Sequence, residues 1–437
     1  MKKKLPSILF VAVFFVICVV PTIGFFIFGP AEAGANERLA AKPSITRRDG
    51  SFNTEFLADL SDYFAGRFFL RQEMITANNG ITALLASSAE EDVILGKNGW
   101  LYYAETLGDY TCTKRLSDHD SFAAQKNLSL MQQHCEAAGV DFLFTLAPNK
   151  NSLYYENMPD YGNREFWRQA QRLYSGCEVY GVNYLDLFEV FNAEDEVLYF
   201  AHDSHWNSKG AALAADAILA AFGKESDYFG GDFSAEIPHT GDLFEMLYPA
   251  GRDKETDLVY SPAIELEYEG SGVRPDSINI VAHGSGEGTL LAYRDSFGNN
   301  LYPYLADSFE TARFSRSATY DLTNLEGVDC VLIELVERNI DYLITNIPLM
   351  PAPAATDVEW EAVEAEYERE EVKNAPEGCV LVRGTLDIEA KNVYILCEGA
   401  AYSAFLLQGG QFAAYIPADA EILGIGVCDL WNKFTYI

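Results

Sequence analysis

The chain has 437 residues, of which 49% are hydrophobic and 13% aromatic, enough to bury the cores of two or three folded domains. The formal net charge of -34 at pH 7 argues against nucleic acid as a partner, because affinity for a phosphate backbone depends on Lys and Arg. The same charge suits a solvent-exposed domain, and a polyanionic substrate would need a local basic patch.

The first thirty residues predict a membrane segment. Three lysines follow Met1, and residues 5–28 form an uncharged apolar run that is long enough to span a bilayer. Because the lysines stay on the cytoplasmic side, we expect a single-pass anchor with the bulk of the chain outside the cytoplasm. Secretion after cleavage near Ala33 is the alternative, but the run is longer than the apolar core of a usual signal peptide.

Helices and strands alternate after an amphipathic helical region over residues 50–85 and a hairpin signal at Asn98 and Gly99. The pattern predicts a parallel sheet with helices on both faces, whose ligands bind beyond the carboxyl ends of the strands. The expected elements are a helix over 117–138, a strand over 140–147, a helix over about 163–175, a strand over 182–187 and a helix over about 208–222.

The second half of the chain is less regular. Residues 223–288 read as an insertion with short strands near 264–268 and 278–283, followed by strands at 289–293, 310–316 and 328–335. A Pro-rich linker over 349–355 and an acidic helix over 359–373 are expected within residues 349–376. Residues 377–437 predict a small β module, for which carbohydrate binding and a packing or partner role are both open.

Asp203, His205 and Ser296 are the candidate catalytic residues. Side chains two residues apart on an extended segment point the same way, so Asp203 can orient His205 as a base. Ser296 ends an apolar run and precedes a helix, the context of a serine held at a strand-to-helix turn. Each signal alone also fits a structural histidine or a helix cap, but together they predict a Ser-His-Asp triad.

Several short motifs resemble the DHHW and alginate O-acetyltransferase-like family of SGNH hydrolase-like proteins. Residues 203–210 resemble the family signature D-[TS]-H-W-N-x-x-G, in which the Asp-His block precedes the serine block. Further matching pieces lie, in the family's order, at residues 36–40, 43, 64–68, 71, 96–103, 148–150, 240–243 and 334–338. The resemblance covers about residues 36–345 and implies an SGNH-like catalytic domain over 36–348.

The family resemblance also implies a function. We expect an extracytoplasmic serine O-acetyltransferase that acts on a cell-surface or exported polysaccharide and receives its acyl group from a membrane-bound acyltransferase. The backbone N–H of Ser296 and the side chain of Asn149 are the expected oxyanion donors. Lys150 and Arg294 would neutralise an acidic sugar or the oxyanion, or are simply surface charges. A carbohydrate acetylesterase with the same triad, and a non-catalytic scaffold of a polysaccharide export complex, are the alternatives.

Cysteine usage predicts neither a metal site nor an assured disulfide. Seven of the eight cysteines lie beyond the apolar segment, an odd number, and none belongs to a Cys-x-x-Cys motif. Several lie in strand-like runs typical of buried thiols. No cofactor is expected.

Overall fold

The computed structural model describes residues 5–33, 37, 39–85, 91–161, 168–355, 359–388 and 390–430. Its N-terminal part consists of helices and one antiparallel hairpin, which closes at Asn98 and Gly99 as expected. The elements are α1 (Leu5–Phe28), α2 (Phe56–Ala65), α3 (Arg71–Leu84), β1 (Val93–Leu95), β2 (Leu101–Tyr103) and α4 (Leu107–Tyr110).

Helix α1 is long and apolar enough to cross a membrane, and it is the one such helix in the part of the chain that the structure describes. Its last turns pack on the end of α2 and on the segment between α2 and α3. The ring centroids of Phe25 and Phe64 lie 4.6 Å apart, and those of Phe28 and Phe69 lie 4.9 Å apart. These contacts join the apolar helix to the folded domain.

The central domain is the predicted alternation of helices and strands. Its elements are α5 (Asp118–Ala137), β3 (Asp141–Ala147), α6 (Lys150–Leu153), α7 (Gln169–Tyr180), β4 (Tyr184–Leu185), α8 (Leu187–Asn192), α9 (Ser208–Ala221), β5 (Ala235–His239), α10 (Asp242–Leu247), β6 (Glu255–Val259), β7 (Glu267–Tyr268), β8 (Asn279–His283), β9 (Thr289–Tyr293), α11 (Gly298–Asp307), β10 (Thr311–Ser315), β11 (Cys330–Val336) and α12 (Tyr342–Thr345).

Seven strands form one sheet in the order β4-β3-β11-β9-β10-β8-β7. The first five are parallel, which confirms the predicted sheet. Central strands β3 and β11 are apolar and almost wholly buried, as expected where helices cover both faces. Of the helix predicted over 163–175, residues 163–167 lie outside the described residues, and α7 continues five residues beyond its expected end.

The insertion takes part in the fold in two ways. Strands β7 and β8 add an antiparallel edge to the central sheet. Strands β5 and β6 pair into a separate antiparallel hairpin, with α10 in the connection between them. Residues 235–259 contact the loop over residues 201–205 at the carboxyl end of the sheet, and no sequence pattern predicted this arrangement.

The C-terminal residues form the expected β module, in two sheets ordered β12-β17-β16-β20-β13 and β14-β15-β19-β18. Its strands are β12 (Ala354–Ala355), β13 (Glu361–Val363), β14 (Glu366–Glu370), β15 (Cys379–Thr385), β16 (Ala390–Cys397), β17 (Ala400–Ser403), β18 (Phe405–Leu406), β19 (Gln411–Pro417) and β20 (Ile422–Leu430).

The acidic helix predicted over residues 359–373 is wrong, because β13 and β14 occupy this segment. Both are edge strands, and β14 pairs with β15 along its whole length. An edge strand tolerates charged side chains, and its pairing outweighs the intrinsic helix preference of glutamate. The preceding Pro-rich segment is packed: Met350 and Ala352 are buried, and the Ala352 amide donates to the Tyr415 carbonyl at 2.8 Å.

Candidate active site

Three side chains from separate parts of the chain meet at the carboxyl end of the sheet. Ser296 lies in the turn between β9 and α11, with its Oγ 2.8 Å from His205 Nε2. His205 Nδ1 lies 2.7 Å from Asp203 Oδ1. A carboxylate only accepts hydrogen bonds, so Nδ1 carries the proton and Nε2 accepts from the Ser296 hydroxyl. The structure brings the three predicted residues together in the geometry of nucleophile, base and carboxylate.

The electrostatics of this group favour a charged carboxylate beside a basic imidazole. Burial alone would raise the pKa of Asp203, but hydrogen bonds from His205 and His239 hold it well below its usual range. Burial also disfavours the imidazolium form of His205, yet the bond to Asp203 raises the pKa of His205 above its ordinary value. His205 is therefore a stronger base than a free imidazole.

The residues that follow His205 hold it in place. Trp206 is fully buried and donates from Nε1 to the Phe297 carbonyl at 3.1 Å, which links the histidine segment to the nucleophile turn. The Asn207 side chain caps α9 by accepting from the Gly210 amide at 2.9 Å. A Cβ at Gly210 would lie 2.4 Å from the Leu198 carbonyl oxygen, so only glycine fits there. The motif thus combines a base with a helix start.

The residues before His205 are held by the insertion. Glu255 on β6 accepts from the amides of Ala201 and His202 at 2.7 and 2.8 Å. Asp242, the first residue of α10, accepts from the Ser204 amide at 2.7 Å and from the Ser204 hydroxyl at 2.6 Å. Glu255 and Asp242 lie about fifty and forty residues from the loop that they support, so no local sequence pattern marks their roles.

Two carboxylates, the partly buried Asp295 and the fully buried Glu334, hold the nucleophile turn in place. Asp295 accepts from the Phe297 amide at 2.9 Å with one oxygen and from the Val336 amide at 2.7 Å with the other. The Asp295 amide donates to Glu334 at 3.3 Å. Burial raises the pKa of Glu334 well above its ordinary value, and the charge of Asp295 adds to this shift. The Ser296 amide has no acceptor among the described residues, so it is available as a donor.

Asn149 is buried in the turn after β3. Its amide donates to Glu337 at 3.0 Å, and its Nδ2 lies 3.4 Å from an oxygen of Asp109. No hydrogen bond joins Asn149 to His205 or Ser296 within the described ranges. Strand β11 separates β3 from β9, which places the two strand ends about 10 Å apart at the usual strand spacing. Asn149 thus lies at the same edge of the sheet, without touching the serine.

Lys150 and Arg294 are buried, at 3% and 4% exposure, so neither is a surface charge. Lys150 Nζ donates to the carbonyls of Phe200 and Asp203 at 3.1 and 2.5 Å, and to that of Ala201 at 3.0 Å. This ammonium therefore fastens the loop that carries the triad Asp.

Arg294 is likewise committed to protein oxygens. Its guanidinium donates to Asn299 Oδ1 at 2.6 Å and to the carbonyls of Pro275 and Ser277 at 2.8 and 3.3 Å. Burial lowers the pKa of Arg294 to about 10. These contacts tie the insertion to the nucleophile turn, so the structure gives Arg294 a supporting position.

Arg338, which follows β11, is a further cation beside the nucleophile turn. Its guanidinium carbon lies 5.8 Å from the ring centroid of Phe297 and 5.4 Å from that of Tyr103. Among the residues that the structure describes, Arg338 has no hydrogen-bond acceptor or ion-pair partner. Its charge works against the rise in the pKa of His205, which shows that it lies within electrostatic reach of the base.

Asp203, His205 and Asp242 also place possible metal ligands within 4.8 Å of one another. Hydrogen bonds account for this proximity. Asp203 pairs with His205, and Asp242 pairs with Ser204, whose Oγ lies 3.2 Å from His205 Nδ1. No metal is needed to explain the cluster.

Residues 93–269 match the model of a family described as the SGNH hydrolase-like domain of acetyltransferase AlgX. These residues are therefore similar to an SGNH hydrolase-like domain. The matched residues include Asp203 and His205 and end before Ser296. The expected SGNH-like fold, with an apolar N-terminal helix and C-terminal strands, is confirmed. No curated protein matches the chain.

One of the solved structures that resemble this chain is PatB1 of Bacillus cereus with a sulfonyl adduct. The two chains are 19% identical with a TM-score of 0.42, and the match covers 57% of this chain and 95% of that one. A DHHW family protein of Eubacterium siraeum matches at 15% identity and a TM-score of 0.40 over 57% and 97% of the two chains. AlgX of Pseudomonas aeruginosa matches at 11% identity and a TM-score of 0.39 over 77% and 90%.

Proposed function

We propose that this protein is an extracytoplasmic serine O-acetyltransferase that modifies a cell-surface or exported polysaccharide. The observation that carries the proposal is the continuous chain of hydrogen bonds from Ser296 through His205 to Asp203, at 2.8 and 2.7 Å, in an SGNH hydrolase-like domain. A serine hydroxyl is a poor nucleophile without such a base. The family match over residues 93–269 favours acetyl transfer as the chemistry.

In the first half of the reaction, the Ser296 hydroxyl gives its proton to His205 Nε2 and its oxygen attacks the acyl carbonyl of the donor. Collapse of the tetrahedral intermediate breaks the bond to the leaving oxygen, which takes the proton back from His205 and departs as an alcohol. Asp203 keeps the imidazole in the right tautomer and stabilises its cation. The product of this half is an acetyl ester on Ser296.

In the second half, a sugar hydroxyl gives its proton to His205 and attacks the acetyl-serine carbonyl. The acetyl group leaves Ser296 for the sugar, and His205 returns the proton to the serine oxygen. The Ser296 amide, which has no acceptor within the described residues, is the first oxyanion donor. Asn149, across β11 at the same sheet edge, is the second, and its Nδ2 would have to turn from Asp109 toward the bound acyl group.

The location of the domain outside the cytoplasm determines which acetyl donor it can use. With the folded domain outside the cytoplasm, acetyl-CoA is not available at the site, and an integral-membrane acyltransferase would relay the acetyl group. Lys150 and Arg294 bind protein carbonyls and would contribute to structure, whereas Arg338 is the cation that faces the Phe297 side of the site.

An assay with an aryl acetate, with and without acceptor glycans, tests this proposal. We expect acetyl transfer to a glycan to exceed hydrolysis, and Ser296→Ala to abolish both reactions as well as covalent labelling by a serine-directed phosphonate. By analogy with serine proteases, Asp203→Asn should lower the rate by roughly 10³ to 10⁴-fold, because His205 is then held in the wrong tautomer. Losses from combined triad variants should not add.

Ser285→Ala, at an exposed serine outside the triad, is the matched control and should leave labelling unchanged. Turnover into water that is faster than onto any glycan would identify an acetylesterase instead. Undiminished cellular function of Ser296→Ala would point to the non-catalytic scaffold of an export complex.

A further inference from the structure

We propose that His239 is a positioning residue that makes the basicity of His205 depend on a second, solvent-accessible proton site. This inference rests on the proposed function, because it assigns a role within the same triad. His239 is the last residue of β5, in the insertion, and is 36 residues from Asp203 in the chain.

Asp203 is shared between two imidazoles. Its Oδ1 accepts from His205 Nδ1 at 2.7 Å and from the His205 amide at 2.9 Å. Its Oδ2 lies 2.9 Å from His239 Nε2 and accepts from the Asp242 amide at 3.0 Å. All four contacts come from donors, because a charged carboxylate can only accept. His239 Nε2 therefore carries a proton and donates to the oxygen opposite His205.

His239 is held in this position and still reaches solvent. Its ring stacks on Phe200, with centroids 4.0 Å apart and planes inclined by 16°. The His239 side chain is 30% exposed, whereas that of Asp203 is 7% exposed. The stacking fixes Nε2 toward the carboxylate, and the exposed edge of the ring allows Nδ1 to exchange protons with water. A proton from solvent can therefore bind to His239, next to the Asp203 oxygen that does not contact His205.

A proton on His239 Nδ1 would change what Asp203 does for His205. The resulting cation lies 2.9 Å from Oδ2 and draws the negative charge of the carboxylate toward itself. Less of that charge then stabilises the imidazolium of His205 that forms during proton transfer. His205 becomes a weaker base, and activation of Ser296 slows without any loss of a triad member.

The surroundings of His239 are acidic, which favours binding of this second proton. Burial lowers the pKa of His239, but the bond to Asp203 and the charges of nearby carboxylates raise it above its ordinary value. The ionisable groups that face it belong to the triad loop, the paired strand β6 and helix α10: Asp203, Glu255, Asp257, Asp242 and Glu245. Lys150, whose ammonium donates to the carbonyls of Phe200 and Asp203, is the fixed cation on the triad-loop side of this group.

Two measurements on the full chain test the proposal. The first is the rate constant for modification of Ser296 by a sulfonyl fluoride, measured from about pH 5 to pH 9. The wild type should lose reactivity toward acid in two steps, for His205 and for His239. His239→Gln keeps an N–H at the position of Nε2 but cannot be protonated, so it should show one step and retain the high-pH rate within about threefold. His239→Ala should lose about tenfold at high pH.

The second measurement is a nuclear magnetic resonance titration of the six histidines. In His239→Gln, His205 should titrate in one step and at a higher pH than its corresponding step in the wild type. His202→Gln is the matched control, because His202 lies on the same loop, stacks on Phe244 and makes no contact with the Asp203 carboxylate. It should change neither profile.

The proposal is overturned if the His205 titration and the labelling profile of His239→Gln coincide with those of the wild type. Equal losses in His239→Gln and His239→Ala would also overturn it, because they would reduce the ring to a space-filling role. If Ser296 of the wild type takes no label, the proposed function fails, while the histidine titration still decides the role of His239.

Discussion

Lys150 is a buried cation that holds the loop before His205 in place. It is the first residue of α6, and its ammonium ends among three carbonyl oxygens of the triad loop. A carbonyl that loses its donor inside a protein costs free energy, because water cannot replace the bond. The loop before His205 therefore depends on a cation that is bound to its backbone carbonyls.

Replacing this cation gives a prediction with a definite sign. Lys150→Met should lower the free energy of unfolding by about 3 kcal/mol at neutral pH, because three carbonyls lose a charged donor. Burial lowers the pKa of Lys150 from 10.5 to about 8. Between these values the unfolded chain binds a proton that the folded chain does not, so the wild type gains stability as pH rises.

The gap between wild type and Lys150→Met should therefore widen between about pH 8 and pH 10.5, by up to about 3 kcal/mol. Denaturant titrations at several pH values measure this gap. Lys97→Met, at an exposed lysine, serves as the control and should change stability by less than about 0.5 kcal/mol at every pH. A gap that narrows with rising pH would contradict the argument.

At the scale of elements, the sequence predicted those whose signal is local. Strand β3, helices α5 and α9 and the strand-turn-helix around Ser296 follow from apolar runs, caps and periodicity, and all are present near their expected bounds. Asp203 and His205 lie two residues apart, so their pairing was readable as well. These features need no knowledge of distant parts of the chain.

The elements that escaped prediction depend on distant partners. His239, Asp242 and Glu255 act on the triad loop across 36 to 53 residues, with no periodic pattern to mark them. The acidic segment was predicted as a helix, although some of its glutamates alternate with other residues, as in Glu359, Glu361 and in Glu366, Glu368. Such alternation is the period of a strand. The helix propensity of glutamate favoured a helix, but the segment forms strands because β13 pairs with β20 and β14 pairs with β15.

Asn127 on α5 connects the central domain to the β module and allows a test of their coupling. It is fully buried, and its Nδ2 donates to the carbonyls of Leu343 and Leu406, each at 2.8 Å. Its Oδ1 accepts from the Leu406 amide at 3.0 Å. One side chain thus satisfies three backbone groups of α12 and β18.

Asn127→Ala should lower the free energy of unfolding by about 3 kcal/mol, because those backbone groups lose their partner in a dry interior. Hydrogen exchange should rise in β18 and its neighbour β19 before it rises in the central sheet. Gln133→Ala on an exposed position of the same helix is the control. Unchanged exchange in β18 would mean that Asn127 does not couple the two parts.

At the scale of the whole molecule, the net charge of -34 and the apolar helix α1 divide the chain into two environments. Helix α1 carries no charged side chain, and its 24 residues make a rod of about 36 Å, longer than the hydrocarbon core of a bilayer. The acidic bulk belongs in water. The contacts of α1 with α2 and with the segment that follows α2 fix where the two environments meet.

These contacts favour an anchor that stays attached. The ring of Phe64 packs against Phe25, that of Phe69 stacks on Phe28, and the Ala31 amide donates to the Arg67 carbonyl at 2.9 Å. Cleavage near Ala33 would strip these partners from the folded domain and expose two phenylalanine rings to water, at a cost of about 1.5 to 3 kcal/mol for each ring that is fully uncovered.

We therefore expect the full chain to fractionate with membranes and to resist extraction by high salt, which removes proteins held by charge alone. Mass spectrometry of the membrane fraction should find the N-terminal segment intact. A soluble form that begins near Gly34 would show instead that residues 5–28 are a signal peptide, and the aromatic contacts would then belong only to the precursor.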